Sequence, residues 1–120
     1  MSSSQATEGS LKADPTLCPR FHKAIELVGR RWTGAIIRVL LRGPRRFNEL
    51  LAAVPGMSDR LLTERLRELE AEELIRREVQ DGSPPRVSYS LTCAGAELEE
   101  ALAALGQWAE RWVKVKAAAS

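Results

Sequence analysis

The polar side chains that follow Ser58 have types and spacing that suit hydrogen bonding to a nucleic acid. On a helix with about 3.6 residues per turn, Leu62, Leu66 and Leu69 share one face. The opposite face carries Arg60, Thr63, Glu64 and Arg67. A guanidinium can bond to guanine, a threonine to a base edge or a thymine methyl, and a carboxylate to cytosine. This face predicts contacts with base edges, against the alternative of a solvated face of salt bridges.

Residues outside this face add candidate phosphate contacts. Ser58 suits an N-cap, with Asp59 near the positive end of the helix dipole, and the free N–H groups there suit a phosphate. Arg86 follows two prolines and suits a minor groove or a phosphate, against the alternative of a polar turn residue. The predicted DNA-binding residues are Arg46, Ser58, Asp59, Arg60, Thr63, Glu64, Arg67 and Arg86.

Apolar periodicity predicts the elements that position these residues. Four helices are expected over residues 19–29, 32–41 (beginning at Trp32 or Thr33), 47–54 and 59–73, with a Pro-Gly turn between the last two. Alternating apolar residues predict two half-buried strands, 74–80 and 86–92, joined by the turn sequence DGSPP. Thr92 is expected to cap a last helix that reaches about residue 114.

This order, α-α-α-α-β-β-α, predicts a mainly α winged helix-turn-helix with a small β-hairpin. The third and fourth helices form the helix-turn-helix unit, and the fourth presents its N-terminal half to the major groove. Arg45 and Arg46 are expected to begin the third helix, where both suit phosphate contacts. The folded domain is expected over residues 17–114, between a disordered tail of residues 1–16 and a short C-terminal tail of residues 115–120.

Composition narrows the function classes further. The 120-residue chain has a net charge of +2, which disfavours non-specific packaging of nucleic acid, yet residues 30–60 are locally basic. No apolar run has membrane-spanning length and the N-terminus lacks a signal core, so we expect a cytoplasmic location and no membrane partner. His22 is the single histidine, and no metal-ligand, phosphate-loop or nucleophile motif occurs. We therefore expect neither an enzyme nor a metal or cofactor.

Apolar stripes on the first and last helices exceed what one small domain can cover. The stripes contain Phe21, Ile25 and Val28, and Leu98, Leu102, Leu105, Trp108 and Trp112. They predict a homodimer formed by the terminal helices, against the alternative that both stripes join the domain's own core. A second alternative is a ligand pocket lined by Phe21, Trp32, Trp108 and Trp112.

The chain has two cysteines, too few for a disulfide framework. Cys18 precedes the first helix and is followed by Arg20, His22 and Lys23, and helix N-termini and nearby cations favour a reactive thiolate. A redox sensor and a structural thiol both remain open for Cys18. Cys93 is expected to be a packed thiol.

Several motifs, in order, resemble the HxlR family of bacterial transcription regulators. They are Cys-Pro at position 18, Gly-x-x-Trp at 29, Gly-Pro-x-Arg-Phe-x-Glu-Leu at 43, LxxRLRELE at 62, and Pro-Pro-x-Val-x-Tyr-x-Leu-Thr at 84. The resemblance runs from about Leu17 to Trp112. It implies a homodimeric winged helix on palindromic operator DNA, contacted by Ser58, Arg60, Thr63, Glu64, Arg67 and Arg86. It also implies that the Cys-Pro cysteine can sense oxidants, quinones or aldehydes, as it does in several members.

The sequence thus predicts a sequence-specific DNA-binding transcriptional regulator. Its expected partners are double-stranded DNA, a second copy of the chain and an oxidant or small-molecule effector, and repression and activation both remain open. The alternative is a winged-helix module that binds another protein without specific DNA binding. A salt titration separates the two, because DNA binding weakens steeply as salt rises.

Overall fold

The computed structural model describes Asp14 and residues 18–115, in two units, Met1–Arg30 and Arg31–Ser120. Apart from Asp14, the predicted N-terminal tail of residues 1–16 lies outside the described residues. So does the predicted C-terminal tail, except Val115. None of the helices in the described part of the chain has the length and apolar character needed to cross a bilayer.

The first unit contains helix α1, Pro19–Val28, as predicted. Pro19 occupies an early helical position, where its missing N–H costs nothing. Gly29 ends the helix, and its N–H donates to the Ile25 carbonyl at 2.8 Å. A Cβ on Gly29 would lie 2.7 Å from that same oxygen, so this close approach requires glycine.

The second unit is built around three consecutive helices, α2 (Thr33–Leu40), α3 (Phe47–Ala53) and α4 (Asp59–Ala71). Their predicted positions are confirmed, with α4 ending two residues before the expected end at residue 73. Gly56 makes the turn between α3 and α4 with φ +95, a conformation that glycine adopts without strain. The buried core contains Ile36, Ile37, Leu40, Leu50, Val54, Met57, Leu62, Leu66, Leu69 and Ile75.

The sheet has three antiparallel strands in the order β1-β3-β2, one more than predicted. They are β1 (Arg45–Arg46), β2 (Ile75–Gln80) and β3 (Arg86–Leu91). The expectation that Arg45 and Arg46 begin α3 was wrong, because they pair with Tyr89 and Ser88 of β3. A two-residue strand is too short for an alternating pattern, so only its partner strand reveals it.

The predicted half-burial of the hairpin strands is confirmed for β3 but wrong for most of β2. Ile75 is the one buried residue of β2, and Val79 is exposed. The apolar alternation in β2 therefore extends beyond the part of the strand that covers the core. The hairpin beyond that point projects as a wing, with residues 81–85 at its tip.

The predicted last helix consists of a short helix α5, Cys93–Ala96, and a long helix α6, Leu98–Trp112. The prediction of one continuous helix from Thr92 to about residue 114 was therefore wrong. Thr92 caps only α5, where its hydroxyl oxygen accepts from the Gly95 N–H at 3.2 Å. Gly95 is the buried residue of α5, and a Cβ there would collide with the Leu74 carbonyl. Cys93 is exposed, so the prediction of a packed thiol was wrong: α5 turns Gly95 inward instead.

Candidate nucleic-acid interface

Helix α4 begins at a side-chain cap and buries one face along its whole length. The Ser58 hydroxyl accepts a hydrogen bond from the Leu61 N–H at 3.1 Å, which satisfies one of the free donors of the first turn. Leu62, Leu66 and Leu69 are buried. The opposite face is therefore turned outward, and the hydroxyl hydrogen of Ser58 remains able to donate.

The outward face presents the predicted base-reading side chains. The Arg60 side chain is 91% exposed, and its Nε lies 3.5 Å from a carboxylate oxygen of Glu64. The Thr63 hydroxyl donates to the Asp59 carbonyl at 2.9 Å, which leaves its methyl group and its oxygen lone pairs for another contact. Arg67 is exposed and has no ion-pair partner among the described residues.

The wing and the start of α3 place two further cations at one cleft. Arg86 is the first residue of β3 and pairs with Gln80 across the hairpin. A cleft of about 810 Å³ lies between the wing tip and α3, and both Arg46 and Arg86 line it. The Glu49 carboxylate in this cleft accepts from the backbone N–H of Arg46 at 2.7 Å, which caps α3 and leaves the Arg46 guanidinium exposed.

A second cleft, of about 320 Å³, lies between α4 and the sheet. It is lined by Thr63, Leu66, Arg67 and Glu70 from α4, by Arg77 and Tyr89 from the sheet, and by Phe47. Arg77 shares this cleft with Arg67. Its position opposite Tyr89 in the β-ladder brings it there, and the alternation of β2 is the sequence feature that could have placed it.

A helix with one buried and one cationic face, followed by a basic wing, is the arrangement of DNA-binding winged helices. A sequence model of the HxlR-like helix-turn-helix family matches residues 27–117. The chain belongs to the HxlR-like family. The resemblance of its motifs to that family is thereby confirmed.

Several relatives of this HxlR-like chain are HTH-type transcriptional regulators. YvaP of Bacillus subtilis (strain 168) is 43% identical over 97 residues, which cover 81% of this chain and 90% of YvaP. YodB of the same strain is 40% identical over 97 residues, covering 81% of this chain and 87% of YodB. Their names agree with the expectation of a regulator rather than an enzyme.

Solved structures of HxlR-like relatives have the same fold. The reduced form of YodB superposes with a TM-score of 0.76 at 39% identity, covering 82% of this chain and 96% of that one. The redox regulator HypR in its oxidized form gives a TM-score of 0.74 at 37% identity, covering 82% of this chain and 100% of that one. The predicted winged helix is confirmed.

The residues predicted to form a dimer interface or pocket are distributed over both units of this HxlR-like chain. In the first unit, Phe21 and Ile25 are exposed. On α6 of the second unit, Leu105, Trp108 and Trp112 are 57%, 56% and 65% exposed. Leu102 is half-buried in a cleft beside Arg38 and Leu41. Trp32 is also half-buried, with its ring against Gly56, so it belongs to the helix-turn-helix itself.

Cys18 is a free, exposed thiol immediately before α1. It lines an apolar depression of about 340 Å³ together with Pro19, Phe21, His22 and Ile25. His22 lies 3.6 Å from Glu26, one turn further along α1, in an exposed pair. A small apolar molecule that reacts with thiols therefore has both a surface to lie on and a sulfur to attack it.

The described residues contain no cluster of three or more His, Cys, Asp or Glu side chains that could hold a metal ion.

One functional candidate that the sequence analysis missed is Arg65 of α4, whose side chain is only 13% exposed. At about 100° per residue, Arg65 lies about 60° from Leu62 around the helix, whereas Arg67 lies about 140° away. This difference in angle could have predicted from the sequence that Arg65 lies beside the buried face and Arg67 on the exposed face.

Proposed function

We propose that this HxlR-family protein is a sequence-specific DNA-binding transcriptional regulator that acts as a homodimer on a palindromic operator. In this proposal α4 lies in the major groove, where Arg60, Thr63, Glu64 and Arg67 contact base edges. The hydroxyl of Ser58 and the guanidinium of Arg46 contact phosphates, and Arg86 of the wing reaches a phosphate or the adjacent minor groove. Asp59 acts through its carbonyl, which orients Thr63.

The observation that carries this proposal is the separation of two faces on α4. The three leucines of its inner face are buried, while Arg60 and Arg67 project outward from the first three turns. A solvent-exposed arginine on such a helix can form a bidentate pair with guanine. Arg46 and Arg86, which line one neighbouring cleft, support the proposal, because clustered cations attract the phosphate backbone.

Homodimer formation is supported by the apolar side chains that the chain leaves exposed. Leu105, Trp108 and Trp112 are spaced by three and four residues, so they lie along one side of α6. Contiguous exposed apolar surface of this kind marks an interaction site. Phe21 and Ile25 give α1 an exposed apolar side of its own. A two-fold dimer covers the same surface on both copies and matches the symmetry of a palindromic operator.

Cys18 is proposed as the site where an oxidant or electrophile changes DNA binding. YodB has been solved in reduced, diamide-treated and quinone-bound forms, and HypR in oxidized and reduced forms. In this chain Cys18 is free and exposed, and Phe21 and Ile25 make the surface beside it apolar. These features suit a quinone or another apolar electrophile, because the ring can lie on the apolar surface while the thiolate attacks.

Selection of bound duplexes from a random DNA pool tests the proposal. We expect an inverted repeat whose half-sites lie about one helical turn, roughly 34–36 Å, apart. Affinity for the selected duplex should fall steeply as salt rises. Repeating the selection after diamide or quinone treatment tests the effector role of Cys18. Recovery of unenriched sequences would instead support the winged helix as a protein-interaction module.

A further inference from the structure

Arg65 differs from the other arginines of α4 because its side chain is mostly buried and bonds to two partners. Its Nε donates to the backbone carbonyl of Arg31 at 2.9 Å. Its Nη1 lies 3.2 Å from both carboxylate oxygens of Glu68, one turn further along α4. The Arg65 side chain is 13% exposed, and its charge-assisted bonds to Glu68 are partly shielded from water. One side chain thus ties the middle of α4 to the chain segment that precedes α2.

Arg31 and Trp32 form this junction segment immediately before α2. Trp32 has φ 78, in the left-handed region that bulky residues seldom adopt, and such a conformation persists only where neighbouring contacts hold it. The Trp32 ring lies against Gly56, where an added Cβ would be 3.5 Å from the ring. The Arg31 guanidinium stacks over the same ring, 4.9 Å from its centroid. The Trp32 carbonyl accepts from the Ile36 N–H at 3.0 Å, within the first turn of α2.

The junction segment therefore contacts the helix-turn-helix at two places. Trp32 touches the turn before α4 through Gly56, and Arg31 holds the middle of α4 through Arg65. The contact at this turn and the hydrogen bond in the middle of α4 together limit both the rotation of the helix about its axis and its sliding along that axis. Arg60 and Arg67 stand on the same helix, so any such movement displaces their guanidinium groups. Bidentate base contacts tolerate displacements of only about 0.5 Å.

We propose that Arg65 is a positioning residue for sequence discrimination: it sets the orientation of α4 through the Arg31 carbonyl and touches no DNA itself. This inference rests on the proposed function. An arginine is needed because one planar group must donate from Nε to a carbonyl and from Nη1 to a carboxylate at once. A lysine keeps the charge and can reach only one of these partners at a time. The Arg65→Lys substitution therefore weakens the connection between α4 and Arg31 and leaves the net charge unchanged.

The experiment compares the parent, Arg65→Lys and Glu68→Gln, with Arg42→Lys as the matched control. Arg42 is exposed, lies just after α2 and is not among the proposed DNA contacts, so its substitution repeats the chemical change elsewhere. Each protein is titrated against the duplex selected by the parent and against a scrambled duplex, over a range of salt concentrations. Amide hydrogen exchange is measured on each free protein.

For Arg65→Lys we expect the affinity ratio between selected and scrambled duplex to fall about tenfold, the size of one weakened bidentate contact. The affinity for the scrambled duplex and its salt slope should stay at the parent values, because the phosphate-binding charges are intact. A mere loss of folded protein would lower both affinities together and leave their ratio unchanged. The amides of α4 and of residues 31–36 should exchange faster in Arg65→Lys and remain as in the parent in Arg42→Lys.

Glu68→Gln should weaken the bond between Arg65 and residue 68 without changing Arg65 itself. If Arg65→Lys does not fold, Glu68→Gln tests whether Arg65 positions α4. It should lower the ratio in the same direction by a smaller factor. Parent-like ratios in every folded variant of this pair would overturn the inference. If the parent itself selects no motif, the proposed function fails. The exchange rates then decide alone whether Arg65 holds α4, with unchanged rates overturning that role as well.

Discussion

Arg60 and Glu64 form an ion pair across one turn of α4, with 3.5 Å between Nε of the arginine and Oε2 of the glutamate. The two side chains are 91% and 50% exposed. An exposed pair at this spacing contributes only about 0.3–0.5 kcal/mol to stability. Its greater consequence is geometric, because the carboxylate restricts where the Arg60 guanidinium can point. A ligand that binds the Arg60 guanidinium in one orientation binds more favourably because of this restriction, whereas the stability of the fold changes little.

The Arg60→Ala substitution should therefore show whether Arg60 contacts DNA bases or only forms a solvent-exposed salt bridge. We expect the free energy of unfolding to change by less than about 0.5 kcal/mol. The difference in binding free energy between the selected operator and a duplex changed at the contacted base should fall by about 1–3 kcal/mol. Arg67→Ala should behave alike, and Arg42→Ala is the control. Competition binding and urea unfolding give the two quantities. Parent-like discrimination in both variants would mean that another element reads the bases.

Substitutions at Ser58 can distinguish its two proposed roles, as helix cap and as phosphate ligand. Ser58→Ala should lower the free energy of unfolding by about 1 kcal/mol, because the Leu61 N–H loses its partner. Ser58→Asp retains a capping oxygen and should keep most of that stability, yet it places a negative charge beside the phosphate. We expect Ser58→Asp to bind every duplex more weakly than Ser58→Ala does. The opposite order of affinities would show that no phosphate lies at the start of α4.

Substitution of Arg86 should affect all DNA sequences alike. Arg86→Ala should weaken binding to selected and scrambled duplexes by similar factors and reduce the slope of log affinity against log salt by about 1. Arg86→Lys keeps the charge, so it should restore the slope. Measuring the slopes by fluorescence anisotropy at several salt concentrations compares all three proteins. A loss confined to the selected duplex would identify Arg86 as a base-reading residue instead.

The proposed dimer can be tested at positions that the chain itself leaves exposed. Leu105→Glu and Trp112→Glu should give monomers with parent-like helix content, because neither residue belongs to the described core. Leu102 is a poorer choice, since it is half-buried beside Leu41 and its loss would also disturb the fold. Gln107→Glu is the control, as it lies about 200° around α6 from Leu105. Light scattering reports the mass. A dimer that survives both substitutions would place the interface elsewhere.

Cys18 should be the thiol through which oxidants and quinones change operator affinity. A bulky adduct or a bond to a partner cysteine at the start of α1 would shift a dimer interface formed by that helix. The two half-sites lie about 34–36 Å apart, so a small rotation at the interface would displace one α4 from its half-site. We expect diamide or a quinone to lower the operator affinity of the parent and of Cys93→Ser, but not of Cys18→Ser. Cys93 is the matched control because it too is free and exposed. Equal affinities before and after treatment in all three proteins would remove redox sensing.

The two faces of α4 were predictable because they depend on residues close together in the chain. The spacing of Leu62, Leu66 and Leu69 defines the buried side, and Ser58 and the preceding Pro-Gly turn define where the helix begins. Helical periodicity and capping act over three or four residues, so the printed sequence contains all that they need. The order of helices and the wing followed from the same local patterns.

Tertiary structure decided the features that join distant residues. Strand β1 forms only because Arg45 and Arg46 pair with β3. The apolar alternation of β2 could not show that Val79 is exposed rather than part of the core. Local patterns also could not show that Arg65 bonds to Arg31, or that the Trp32 ring packs on Gly56. Such contacts depend on which surfaces meet after the helices pack. Local periodicity therefore specified which face of α4 points outward, and packing between distant segments specified what holds that face in place.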